Sequence, residues 1–168
     1  LDFTNTSMGA RKLRSWIECP LLDLGKIYER QDAVAELLDN TTLREAVVER
    51  LKAIYDLERI VFRLEVGSAN ARDLVSLRTS LAVLPEVKAV LANCKSRKLQ
   101  KIYNNLHVHE DIYSALEAAI VDEPPFSVRE GGMIKTGYNA ELDELHLIAK
   151  DNKTWMQNFE QKIKEETG

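Results

Sequence analysis

The chain has 168 residues, enough for one ordinary domain or for one domain with an appendage. Its 45% hydrophobic and 30% charged residues exclude disordered, collagen-like and low-complexity classes, and seven Gly with four Pro leave little turn material for an all-β fold. With 23 basic against 27 acidic side chains the formal charge is -4, which argues against a chain whose whole surface grips a phosphate backbone. No apolar run approaches the ~20 residues needed to cross a bilayer, and nothing at the N-terminus reads as a signal peptide. Cys19 and Cys94 are too few and too far apart for a disulfide framework or a zinc knuckle, so both are expected to be buried or half-buried thiols in a reducing compartment, the cytoplasm. The chain opens on Leu1 rather than Met and stops at Gly168 as a helical pattern ends, as expected of a piece of a larger protein.

The dominant period is helical, and the predicted fold class is all-α: an irregular multi-helix bundle with a long protruding C-terminal helix. Thr6 or Ser7 caps a helix to about Cys19, with Leu13, Trp16 and Ile17 on one face and Pro20 closing it. Asp23 caps a second, which carries Ile27, Val34, Leu37 and Leu38 to about Asn40. Thr42 followed by Glu45 has capping-box spacing and opens a third through Leu43, Val47, Leu51 and Ile54. A fourth spans Asp56 to Val66 and stops at Gly67. Asn70 with Asp73 starts a fifth bearing Leu74, Leu77 and Leu81, expected to end before Pro85, which would then open a separate short helix through Val87, Val90 and Leu91. Two more fit Arg97–Asn105 and His109–Val121. Residues 1–121 thus read as a bundle of seven or eight short helices.

Consecutive prolines in Asp122-Glu123-Pro124-Pro125 end that pattern, and 122–137 reads as a connection. Within it, Phe126 to Lys135 suggests at most a small hairpin, or an extended crossing with a turn at Gly131-Gly132. The last pattern fills 138–168. Leu142, Leu145, Ala149, Asn152, Met156, Phe159 and Ile163 recur at alternating steps of three and four, a heptad seam with one polar position. A helix from about Asn139 to Thr167 would be ~43 Å long, suited to pairing with another helix or to carrying something at its far end.

Motifs for chemistry are sparse. None of the seven glycines fits a P-loop, and G-x-G-x-x-G and a nucleophile elbow are missing. His107 and His109 form a His-x-His pair, but the adjacent Glu110 and Asp111 splay around a helix and cannot join them on one ion, so no metal site is assigned. His146 flanks the seam. Asp56, Glu58, Asp73, Glu141, Asp143 and Glu144 read as solvated faces rather than a catalytic pair. The basic clusters Arg11-Lys12/Arg14 and Lys95/Arg97/Lys98/Lys101 read likewise, beside acidic neighbours. No catalytic, cofactor-binding or metal residue is assigned.

Longer strings are more specific. Met8-Gly-Ala-Arg11-Lys-Leu-Arg14-Ser-Trp16 … Pro20-Leu21, Arg30-Gln-Asp32-Ala-Val34, and Ile54-Tyr-Asp-Leu-Glu-Arg59 resemble the core domain of the MutS family of DNA mismatch-recognition ATPases. So do Gly67 … Asn70-Ala-Arg-Asp-Leu74 … Leu84-Pro85, and Asp122-Glu-Pro-Pro125 … Arg129-Glu-Gly-Gly132 … Gly137-Tyr-Asn-Ala-Glu-Leu-Asp-Glu-Leu145. Order and spacing agree along essentially the whole chain.

The resemblance implies the first part of the core and the outgoing lever helix, stopping where a DNA clamp would begin. The family's Phe-x-Glu wedge, Walker motifs and basic clamp lie outside this stretch, so the segment itself is expected to be non-catalytic, to lack ATPase activity and to bind duplex DNA weakly. ATP and Mg would be bound elsewhere in the parent. Implied partners are mismatched duplex DNA, a second MutS-like subunit and a MutL-like protein, with no membrane. The competing reading is a free-standing helical module that binds another helix through residues 142–163. Alone, the segment is expected to self-associate through that seam.

Overall fold

The computed structural model describes residues 2–167, with the side chains of 153–155 and 157–167 outside the description. The described residues form eight α-helices and one short 3₁₀ turn, with no β-strand. The chain divides into two compact units, Leu1–Met133 and Ile134–Gly168. The boundary falls within the Pro- and Gly-rich stretch that the sequence marks as a connection.

The first unit contains α1 (Ser7–Glu18), α2 (Leu24–Asp39), α3 (Thr41–Leu51), α4 (Leu57–Glu65), α5 (Ala71–Leu91), α6 (Arg97–Asn105) and α7 (Glu110–Ala119). Thr6 caps α1 by accepting from the Gly9 amide, and Asp23 caps α2 by accepting from the Lys26 amide. Asn70 and Asp73 close a reciprocal capping box on α5. The expected Thr42/Glu45 box does not form. Asn40 both ends α2, donating its amide to the Glu36 carbonyl, and starts α3, its Oδ1 accepting from the Leu43 amide. The cap has to sit on the non-helical residue ahead of the first turn, and here that residue is Asn40.

Helix α5 also corrects the expected break at Pro85. It runs unbroken for 21 residues with Pro85 inside it. A mid-helix proline costs about 3 kcal/mol. Against this, Val87 and Leu91 are both buried downstream of it, and each contributes about 1.5–3 kcal/mol by leaving water. Ending the helix at residue 84 would uncover them. Packing wins over propensity.

Around α5 the others assemble: α3, α4, α6 and α7 pack on it, and α2 packs on α3 and α6. Ala33, Val87, Leu91, Cys94 and Leu99 form the central cluster, with Leu37, Leu43, Val47, Ile54, Val83, Tyr103 and Leu106 against it. Polar ties fix the periphery. Arg11 of α1 makes a bidentate pair with Asp56, both bonds 2.7 Å, and also reaches Glu58. Arg30 lies 3.7 Å from the centre of the Trp16 ring. Glu36 of α2 accepts from the amides of Lys95 and Ser96 at 2.6 and 2.7 Å, capping α6 from outside, while Lys88 donates to the Leu106 carbonyl at its far end. Cys94 is buried as expected, and burial pushes its thiol pKa up; Cys19 is exposed, because α1 ends at the edge of the bundle.

After α7 the backbone is extended, and the Val121 amide donates to the Met133 carbonyl at 3.1 Å. Between these two residues lies a 3₁₀ turn, Val128–Glu130, boxed by Ser127 and Glu130. Both Gly131 and Gly132 take positive φ (70° and 68°), a conformation that a side chain resists. Among the described residues no hairpin forms in this stretch, and the 3₁₀ turn also interrupts the expected extended crossing.

The second unit holds α8 (Ala140–Thr167), 28 residues long. Asn139 Oδ1 accepts from the Leu142 amide, and Asp143 reaches back to accept from the Gly137 amide at 2.7 Å. Those two bonds explain why the helix begins where it does.

Candidate functional site

Helix α8 carries every member of the seam expected from sequence. Leu142 is half-buried, beside a shallow cleft of about 320 Å³ that it lines with Ile134, Tyr138, Asn139, Glu141 and Leu145. Further along, Leu145 is 57% and Met156 56% exposed, and Ala149 and Asn152 are exposed as well. Phe159 and Ile163 fall among the residues whose side chains lie outside the description. Ile148, also exposed, flanks the stripe about 80° from its centre line, so the described part of α8 presents a broader apolar face than the heptad count suggested. Leu147 points the other way.

A second apolar surface lies in the first unit, and sequence reading did not single it out. Leu57, Val61 and Leu64 of α4 and Leu77, Leu81 and Leu84 of α5 line a groove of about 610 Å³, with Leu106 and Ile112 beyond them. Both triplets have the spacing i, i+4, i+7, which puts three side chains on one helix face over about 10 Å. That spacing is legible in the sequence. What it cannot tell is that the two ridges lie side by side.

His107 and His109, weighed and set aside as metal ligands, lie on the rim of this groove with ring centres 6.1 Å apart. Among the described residues no three His, Cys, Asp or Glu side chains are grouped to hold a metal ion. His109 has a left-handed backbone (φ 51°) immediately before α7.

The basic clusters are largely tied into the protein's own acids. Arg14 pairs with Glu18, and Arg97 and Lys101 both reach Glu29, which Lys101 holds below the usual carboxylate range. Hydrogen bonding from Ser96, with the Lys95 amide, likewise lowers Glu36. Of the two clusters, Arg11, Arg14, Arg97 and Lys101 are thus paired with acids of the same chain.

One polar feature was missed altogether. Arg78 is buried on the inner side of α5, its side chain only 9% exposed. It donates to the Ile120 carbonyl at 3.0 Å and to Asp122 at 2.7 Å, and it pairs with Glu117 at 3.4 Å. Six residues earlier, Arg72 donates Nε to the Pro124 carbonyl at 3.2 Å and lies 5.6 Å from the centre of the Phe126 ring. The signal was an arginine inside the apolar stripe Leu74, Leu77, Leu81, Leu84, where a charge has no cheap place to go.

A helical bundle built on one long central helix, together with a 28-residue helix bearing an apolar stripe, defines an all-α class of protein. Comparison with known proteins agrees. Residues 1–167 match the family model described as MutS domain III, and the chain belongs to that family. It is similar over all 168 residues to the proteins named DNA mismatch repair protein MutS of Desulforamulus reducens (46% identical), Listeria monocytogenes serotype 4a (46%) and an Exiguobacterium species (47%). It spans only 19–20% of the length of these relatives. Among the described residues no helix is long and apolar enough to cross a membrane.

Proposed function

We propose that this chain is the structural core and lever segment of a MutS-like DNA mismatch-recognition ATPase, and that it couples a DNA clamp to a nucleotide site. The observation that carries the reading is α8: 28 continuous helical residues, roughly 42 Å, in a compact unit distinct from the one that holds the bundle. A continuous helix keeps its hydrogen bonds along its length, so a displacement at one end arrives at the other. The segment does no chemistry itself. ATP and Mg are bound elsewhere in the parent, which acts on mismatched duplex DNA with a second subunit and a MutL-like protein. The exposed stripe Leu145, Ile148 and Met156 pairs with another helix of the same parent.

The test breaks the helix without touching the stripe. Asp151 is exposed and lies opposite the seam. In the full-length protein, Asp151→Pro removes one helical hydrogen bond and kinks α8, whereas Asp151→Ala leaves it straight. ATP hydrolysis on mismatched duplex, divided by hydrolysis on matched duplex, should fall to near one in the proline variant and stay at the wild-type value in the alanine variant. An undiminished ratio with proline refutes the lever.

A further inference from the structure

Buried polar groups mark places where geometry has been favoured over packing. Arg78 and Ser80 are the buried polar side chains among the described residues. Ser80 bonds the Ser76 carbonyl one turn away and the Tyr55 amide. Arg78 is a different case. All three of its acceptors belong to one short stretch: the last turn of α7 (Glu117), its C-cap (Ile120) and the second residue beyond (Asp122). Arg72 then holds the next two points, the Pro124 carbonyl and the Phe126 ring. Two arginines of α5 therefore grip the chain at the place where α7 ends and the connection to Met133 begins.

An aliphatic side chain of similar volume could fill the space of Arg78 between α7 and α5. Replacing a buried ion pair by an apolar side chain of similar volume is often neutral for stability. A leucine or methionine cannot, however, fix the direction of a backbone. The guanidinium fork is planar and presents donors in set directions, so satisfying Ile120 and Asp122 together sets both the position and the heading of the chain as it leaves α7.

We propose that Arg78 is a positioning residue for coupling: it pins the exit of α7 to α5, so that force transmitted along residues 120–133 is delivered to the central helix of the bundle rather than absorbed by slack in the connection. Arg72 is the second attachment. This rests on the lever reading above.

The test uses the full-length protein with two variants. Arg78→Met fills the same space without the fork. Asp122→Ala removes one acceptor from a side chain that is 77% exposed, and so spares the core if the first variant folds poorly. Hydrogen exchange of amides 119–133 should accelerate at least tenfold in both variants, with the α2, α3 and α6 amides unchanged. The mismatched-to-matched hydrolysis ratio should fall at least threefold, with hydrolysis in the absence of DNA and the Kd for mismatched duplex at wild-type values. A purely structural arginine predicts instead that Arg78→Met keeps the ratio, and that result overturns the proposal. So does a loss of the ratio matched by an equal loss of basal hydrolysis. The Asp151→Pro variant separates the two readings. If it uncouples while Arg78→Met and Asp122→Ala do not, the anchor fails and the lever stands; if it does not uncouple, both fail.

Discussion

Ser80 offers a stringent check on the packing of the first unit. It has no exposed surface, and its Oγ does two things: it donates to the Ser76 carbonyl at 2.8 Å and accepts from the Tyr55 amide at 2.9 Å. Tyr55 stands in the turn between α3 and α4, so this one oxygen ties that turn to the central helix. Ser80→Ala deletes the oxygen and almost nothing else. The Ser76 carbonyl loses only a second donor, since it belongs to the helix ladder. The Tyr55 N–H loses the acceptor the fold gives it, but Tyr55 is 52% exposed, so water can take that acceptor's place. The cost is then that of an ordinary hydrogen bond, about 0.5–1.5 kcal/mol. The better helix propensity of alanine returns about 0.5 kcal/mol. A net loss of about 0.5 kcal/mol corresponds to a fall in Tm of roughly 1–2 °C for a chain of this size. Thermal unfolding followed by circular dichroism measures the first quantity, and hydrogen exchange at the Tyr55 amide measures the cause. An unshifted midpoint, or a Tyr55 amide as protected as in wild type, refutes the reasoning.

Two further outcomes follow from the polar ties and the stripe. The Arg11 pair holds the Asp56 carboxyl below its ordinary value of 3.8; because the folded pKa is the lower one, the stabilisation is present above pH ~4 and is lost as pH falls through the folded value. The stability gap between wild type and Asp56→Asn should therefore be wide at pH 6 and narrow progressively as pH falls below 3.8 in urea titrations; a gap independent of pH removes the ion pair as its cause. For the stripe on α8, sedimentation of the 168-residue chain should show association that Leu145→Lys with Met156→Lys abolishes; two monomers, or two equally associated species, exclude the stripe as the interface.

The helices were legible because their signals are local. Asp23, Asn70, Asp73 and Gly67 act within a turn of where they stand, and each does what its position suggests. Pro85 misled because its cost is local while the gain from Val87 and Leu91 is tertiary. Thr42 misled because two residues ahead of it stood a better-placed acceptor, Asn40. The seam on α8 was visible as a period, but a period does not show which apolar neighbours, such as Ile148, widen it. The groove between α4 and α5 and the grip of Arg72 and Arg78 on residues 120–126 escaped for one reason. Each joins segments that lie far apart in sequence, and no spacing rule reaches that far.

Helix α6 shows what such long reach means for a short helix. It has nine residues, fewer than a helix needs to stand alone in water, and its N-cap Ser96 makes no side-chain bond to it. The carboxylate that caps it, Glu36, sits sixty positions earlier on a different helix. In a growing polypeptide that acceptor is made sixty residues before the Ser96 amide it receives. The start of helix α6 is therefore held by α2 as well as by its own sequence, and a change that loosens α2 is felt at α6.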